Sequence, residues 1–514
     1  MKNLIVVISL LMMISTCIIA QDQPFKIYDS GGLFHQYQGK NMLEHQGEIY
    51  VLGSIIDTNV VAGQELEENF HMTVFDLDGV LQRFITYDNE DCDGETISIR
   101  DIKYHIYEDA LIIPYSSGHI DCVPSIGTGL DGEWSVLICD EQQADSRTRR
   151  IISSVLDGDV LTTLHRNPSN ADYSISRLDL SDPQAFIFKK FIPELPSVLP
   201  LELFQEDDGN LLIAGPIGDF SSEDKAEHVI GMFMTRMDKD LNVISTQIVE
   251  GDYFGSSALI HGLHDEDDGT YVTSGSRMDR AGYEQEPNSI ITAYAVLMKL
   301  DPNSSEPIWE IPVDTTEFRR NYPHVWDIIL SAESDGYIFV GEGSEPGRPG
   351  SLLYGKVSKQ GEMLWKREIY DALGPNSLNG FSVIATSDGH YMLTGTRSDV
   401  TDGDGYDTRA QLILMKFDED GDVIQLRTDT YEAESMPFAI VPNPAQDRIM
   451  IVTDIEGEKQ IYLSDMNGQA VQMVACDTLD CDLDTSGLVT GTYVILVADR
   501  EGNLLGKEQL VIQR

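Results

Sequence analysis

The sequence predicts an all-β protein: a seven-bladed β-propeller followed by a small C-terminal β-sandwich of immunoglobulin-like type. Three observations predict it. A phrase of Asp-Gly followed by an alternating apolar strand recurs along most of the chain, acidic turns separate a second set of such strands, and the rhythm breaks over the last ~80 residues.

The clearest copies of the phrase are Asp208-Gly209-Asn210-Leu211-Leu212-Ile213-Ala214-Gly215 and Asp268-Gly269-Thr270-Tyr271-Val272-Thr273-Ser274-Gly275. Two more start at Asp335-Gly336 and Asp388-Gly389, and weaker ones at Gly47, Asp109 and Gly158. The clear copies follow one another at roughly 50 to 67 residues, a period that points to a solenoid, propeller or array. Each has a second half, a strand such as Ala295–Leu300 or Leu412–Phe417 running into an acidic turn and then a further strand with an aromatic, as at Trp309 and Trp365. Asx-Gly pairs tolerate positive φ and therefore mark hairpins. A strand also precedes each Asp-Gly, so the unit is four antiparallel strands, A to D. Seven such units arranged radially make the propeller.

In that arrangement the A–B and C–D turns share one face. The other carries the long B–C connections, which run over 54–69, 115–133, 216–228, 276–290, 342–350 and 396–409. Long loops on a rigid scaffold are where binding usually resides. Strand A lines the channel, which nominates Ser257, His324, Trp326, Asn379 and Phe381 as ligand-binding candidates.

Composition narrows the partners. The chain has 514 residues, 35 Lys plus Arg against 86 Asp plus Glu, and a net charge of −51. Such a surface repels nucleic-acid phosphate and anionic lipid headgroups. Met1-Lys2-Asn3, the apolar run Leu4–Ile14 and the small residues Ser15, Thr16 and Ala20 read as a signal peptide over 1–20. No later apolar run reaches the ~20 residues of a membrane span, so no transmembrane anchor is expected.

Five cysteines then remain, in an oxidising compartment where they are disulfide candidates. Cys92 and Cys122 fall on one face and are expected to pair. Cys476 and Cys481 are expected to form a local bridge. Calcium is left open. Asn89-Glu90-Asp91-Cys92-Asp93-Gly94 opens like an acidic calcium loop, but Arg100 stands where a bidentate glutamate is needed. Asp402-Gly403-Asp404-Gly405-Tyr406-Asp407 clusters oxygens at the wrong spacing. No metal site or other cofactor is expected.

The tail carries a more specific signal. Pro442-Asn443-Pro444-Ala445, Asp465-Met466-Asn467-Gly468, Gly491-Thr492-Tyr493 and a terminal strand from Lys507 follow in that order. Together they resemble the type A sorting domain of cargo of the Bacteroidetes type IX (Por) secretion system. The resemblance implies export through that system, with its machinery and sortase as partners, by way of the periplasm to release or surface attachment. The domains expected are a signal peptide (1–20), a propeller (21–430), a linker (431–437) and a sorting domain (438–514).

No nucleophile elbow, His-Glu-x-x-His pair, phosphate loop or sialidase-type Asp-box is present. The expectation is therefore a non-catalytic binding protein whose ligand is a glycan, a peptide or another surface protein. A polysaccharide hydrolase or lyase, with its site at the channel mouth, and a structural adhesion component are the alternatives.

Overall fold

The computed structural model describes residues 25–28, 34–57, 68–86, 105–107, 110–115, 125–128, 150–166, 173–181, 186–191, 202–206, 208–218, 229–250, 262–265, 268–278, 291–318, 324–343, 349–371, 376–399, 410–426, 438–453, 457, 459–465, 470–499 and 504–513. All regular elements among them are β-strands.

After β1 (Lys26–Tyr28) the chain forms successive antiparallel meanders. The first holds β2 (Phe34–His45), β3 (Glu48–Asp57), β4 (Glu68–Asp76) and β5 (Leu81–Thr86). The next holds β6 (His105–Tyr107), β7 (Ala110–Tyr115) and β8 (Ser125–Thr128). Then come β9 (Arg150–Asp157), β10 (Val160–Arg166), β11 (Tyr173–Asp179) and β12 (Phe186–Phe191), followed by β13 (Glu202–Gln205), β14 (Leu211–Gly218), β15 (Val229–Met237) and β16 (Val243–Glu250). β17 (Gly262–Asp265), β18 (Thr270–Met278), β19 (Ile291–Leu300) and β20 (Pro307–Phe318) form another, and β21 (His324–Leu330), β22 (Gly336–Gly343), β23 (Ser351–Ser358) and β24 (Met363–Ile369) the one after it. The last holds β25 (Asn376–Ala385), β26 (Tyr391–Asp399), β27 (Ala410–Phe417) and β28 (Val423–Ile424). Repeated sheets of this kind are the blades of a β-propeller.

The first strand of a meander packs on the sheet before it. β13 meets β9 and β10, β21 meets β17 to β19, and β25 meets β21 to β23. β2 in turn packs on β25, β26 and β27, bringing the first meander against the last. The last sheet is also completed from both directions, because β1 and β28 pair with different stretches of β27. Cores lie between neighbouring sheets: Val272, Leu297 and Val325 share one cluster with Tyr337, Phe339 and Leu353.

The turn face is built by repetition. A lysine stands two residues before the C–D turn in three successive sheets. Lys299 Nζ reaches Asp268 of its own sheet (2.6 Å) and the Tyr337 hydroxyl of the next (2.8 Å). Lys356 pairs with Asp335 at 2.7 Å and with Glu419 of the following sheet. Lys416 bonds Asp388 and, at 2.8 Å, the Leu77 carbonyl of the first meander. The aromatic strand residues repeat likewise. Trp309 Nε1 donates to Lys359 O (2.9 Å) and Trp365 Nε1 to Glu419 O (3.0 Å). Each indole lies over a turn glycine of the next sheet, Gly361 or Gly421, where an added Cβ would come within 2.8 Å of the ring. Leu426 takes this role against Gly79, so the last meander grips the first as consecutive ones grip each other.

One turn departs from the sequence reading. Asp335-Gly336 looks like the other Asp-Gly turns, but its left-handed position is Ser334 (φ 55°). Gly336 already lies in β22, where a Cβ would sit 2.2 Å from the Val357 carbonyl oxygen. It is glycine for close approach of two strands rather than for positive φ.

The C-terminal domain has two sheets. One is β29 (Phe438–Val441), β30 (Arg448–Thr453) and β33 (Asp480–Asp484); the other is β32 (Ala470–Cys476), β31 (Lys459–Asp465), β34 (Gly491–Asp499) and β35 (Leu504–Ile512). Phe438, Ile449, Ile451 and Leu483 of the first sheet share a core with Ile461, Leu463, Tyr493, Ile495 and Ile512 of the second. This is a β-sandwich. A disulfide joins Cys476 at the end of β32 to Cys481 in β33, and so ties one sheet to the other.

Candidate functional site

On the loop face the repetition stops. Two inner strands carry a β-bulge at the same level: pairing of β21 with β22 slips between Val325 and Asp327, and pairing of β25 with β26 slips between Gly380 and Ser382. β2 has the equivalent slip between Gly39 and Asn41. A bulge leaves one residue out of the ladder and re-aims its side chain. In β2 that residue is Lys40, and in β21 and β25 they are Trp326 and Phe381. Their rings meet edge to face at 5.5 Å, and the His324 ring lies 5.2 Å from Trp326.

Polar residues brace the bulges. Asp327 accepts from its neighbour Ile328 N (2.9 Å) and, across the sheet boundary, from Ser382 Oγ (3.0 Å) and Val383 N (2.9 Å). One carboxylate therefore holds both bulged strands. Opposite His324 in the register stands Glu342 at the end of β22. With its amide nitrogen turned toward Glu342, Asn379 donates to both carboxyl oxygens, at 2.9 and 3.1 Å. Ser377 Oγ lies 3.4 Å from Oε1. A Cβ on Gly350 would stand 2.2 Å from the same oxygen, so only glycine leaves room for this carboxyl.

Burial sets the charge states. It pushes the Glu342 carboxyl up to about 8 and the His324 imidazole down to about 4, so both are neutral at pH 7. Nearby charges are matched. Arg397 bonds the fully buried Asp371 carboxylate at 2.9 Å. Lys366 lies between Glu368 (2.9 Å) and Asp314 (3.4 Å). Among the described residues, the buried polar atoms without a hydrogen-bond partner include Trp326 Nε1 and the hydroxyl of Thr396, which stands across the strand from Asn379.

Four of the five channel candidates thus come together here, namely His324, Trp326, Asn379 and Phe381. Ser257, Cys92, Cys122 and both acidic loops lie outside the described residues. Sequence reasoning missed Glu342, Asp327 and Gly350. A signal for Glu342 was there, in comparison of the repeats. After the strand-ending glycine other copies have Ser54, Pro216, Ser276 and Thr396, and only this one has a carboxylate. Among the described residues no group of three or more His, Cys, Asp or Glu is placed to hold a metal ion.

In the tail, Pro442-Asn443-Pro444-Ala445 is fastened to the terminal strand. Asn443 Oδ1 accepts from Val511 N (2.9 Å), Ala445 N donates to Val511 O (2.7 Å), and Gln513 N donates to Ala445 O (2.8 Å). Asp465 pairs with Tyr493, whose hydroxyl caps Val489 O at 2.9 Å. Gly491 opens β34 and Lys507 lies in β35, while Gly468 lies outside the described residues. Residues 439–513 match the family model described as a secretion system C-terminal sorting domain. The tail is a type IX sorting domain. It implies export by that system, to the cell surface or the extracellular space.

No curated protein matches the chain. Solved structures to which it is similar include a fungal alcohol oxidase of the AA5 family in complex with copper (10% identity, covering 96% of this chain and 99% of that one, TM-score 0.43). Others are a periplasmic gluconolactonase from Pseudomonas aeruginosa (10% identity, 79% and 99% covered, TM-score 0.38) and a quinoprotein alcohol dehydrogenase-like protein from Bacteroides thetaiotaomicron (12% identity, 65% and 66% covered, TM-score 0.36). Among the described residues no helix is long and apolar enough to cross a membrane.

Proposed function

We propose that the chain is an exported binding module. Its seven-bladed ring engages a ligand on the loop face, at the bulged inner strands β21 and β25, and its tail serves only for delivery. A signal peptide over 1–20 takes it to the periplasm, and the type IX machinery and its sortase take it onward to release or attachment. The observation that carries the reading is the pair of matched bulges that lifts Trp326 and Phe381 out of their ladders and into contact. Aromatic rings held on rigid strands supply large contact area at low entropic cost.

The test is a binding screen of the purified chain from Gln21 onward against polysaccharides, peptides and surface extracts. Binding that Trp326→Ala abolishes supports the reading, and binding that this change leaves intact contradicts it.

A second reading has one observation in its favour. Glu342 holds its proton at neutral pH and could act as a general acid in glycoside cleavage. Release of reducing sugar by the wild type but not by Glu342→Gln would establish it.

A further inference from the structure

We propose that the sorting domain is recognised at one end, through an apolar edge formed by Val441 and Val489, and that the occupant is a neutral, apolar-faced receptor of the type IX machinery. The inference rests on the assignment of the tail and is independent of the loop-face reading.

The motif residues that identify the tail hold it together. Asn443 Oδ1 accepts from Val511 N, while Ala445 is bonded through N to Val511 O and through O to Gln513 N. Tyr493 is buried, with its hydroxyl on Val489 O. Thr485, between β33 and β34, donates through N to Asp447 O and through its hydroxyl to Gln446 O. Two segments far apart in sequence, 441–445 and 485–491, are thereby gathered around the end of β35. Ala445 bridges Ile512 on one side of that strand, and Gly491 pairs with Ile512 on the other.

What this scaffold turns outward is a pair of valines. Val441 is 50% exposed and Val489 74%. Among the described residues no other large apolar side chain is as open as Val489. Neither valine belongs to the sandwich core, which takes their neighbours Ile440 and Leu488 instead. Packing therefore gives no reason for apolar residues at these two positions, and an incoming surface does.

Charge says what kind of surface fits. The exposed residues of 441–444 and 486–490 include no charged side chain, although 24% of the chain is charged. A strongly charged partner finds no counter-charge on these two loops. A second copy of the chain is repelled, because each carries −51. A neutral receptor that covers the two valines gains from apolar area alone. The family match supplies the reason for a receptor, since a sorting domain has to be read by the machinery that exports it.

The experiment uses the full chain, made in a Bacteroidetes host that carries the type IX system. The fraction outside the cell is compared with the fraction held in the periplasm for Val441→Asp plus Val489→Asp. Leu479→Asp is the control. Leu479 is 49% exposed at the opposite end of the sandwich, where its carbonyl accepts from Thr453 N. We expect the double variant to lower the exported fraction at least about tenfold, the effect of losing one buried valine contact or more. It should accumulate folded in the periplasm, with the melting temperature of the wild type, and Leu479→Asp should be exported normally.

Export of the folded double variant at the wild-type level would overturn the proposal. Equal loss of export for Leu479→Asp would overturn the confinement of recognition to this end. If the double variant fails to fold, Val489→Ser decides, because a single exposed change of this kind leaves stability nearly untouched: reduced export supports the edge and unchanged export overturns it. Dimerisation of the purified wild type that the double variant loses, with both exported alike, would give the edge to a second copy instead.

Discussion

The two faces of the ring are made of the same strands and solve opposite problems. On the turn face one device repeats from sheet to sheet. A Lys two residues before the turn bridges to the next sheet, and an indole or Leu426 covers the next turn glycine. On the loop face the groups differ from sheet to sheet. Glu342 stands where others have Ser, Thr or Pro, and the bulged residues are Lys40, Trp326 and Phe381. Repetition marks what holds the ring together. Departure from repetition marks where we propose that the ligand binds.

The largest effect that would sharpen this contrast is on the turn face. Trp365→Ala removes the lid over Gly421 and the bond to Glu419 O. It should cost ~3 kcal/mol, at the low end for such truncations because the indole is only partly buried, read as a shift in the denaturation midpoint. Next is Lys356→Met, which keeps the stem but strands Asp335 and Glu419. A fully buried pair would lose ~3–5 kcal/mol, but both acids reach water, so ~1–2 kcal/mol is expected. Each change should leave ligand affinity unaltered.

The disulfide offers a control outside the ring. Opening its short loop with Cys476→Ser plus Cys481→Ser should cost the sandwich ~2 kcal/mol. The melting of the ring should stay where it was.

The faces also differ in pH dependence, and the signs separate them. On the turn face burial pushes Asp388 up, but the Lys416 ammonium outweighs it and holds the carboxyl at about 2. Its contribution is complete above the unfolded value near 3.8 and is lost as pH falls toward 2. Glu342 does the reverse. With its folded value raised to about 8, its contribution is complete below ~4.5 and is lost as pH rises toward 8. His324, lowered to about 4, makes the fold gain stability as pH rises from 4 to ~6.5. The two loop-face groups therefore oppose each other between ~4.5 and 6.5, and Glu342 acts alone from 6.5 to 8. Glu342→Gln should flatten urea-unfolding stability between pH 6.5 and 8. A decline that persists in this variant would place its source elsewhere.

How much was legible follows the same division. The meanders could be read because Asp-Gly turns and alternating apolar runs are local signals. The sorting tail could be read because four short phrases keep their order. His324, Trp326, Asn379 and Phe381 could be nominated as one group from strand order alone. What brings them together could not, since the bulges at Trp326 and Phe381 are set by Asp327 reaching across to Val383, 56 residues away. The role of Gly350 was equally hidden, because it depends on a carboxyl from a neighbouring strand. At Asp335-Gly336 local reasoning named the right turn and the wrong cause.

The most direct test sets one tryptophan from each face against the other. Melting temperature and ligand affinity are measured for Trp365→Ala and Trp326→Ala in the same preparation. We predict that Trp365→Ala lowers the melting temperature strongly and binds as the wild type does, while Trp326→Ala melts within a few degrees of the wild type and loses binding. If Trp326→Ala proves as destabilising as Trp365→Ala and its folded fraction still binds fully, the loop-face cluster is scaffold and the ligand binds elsewhere.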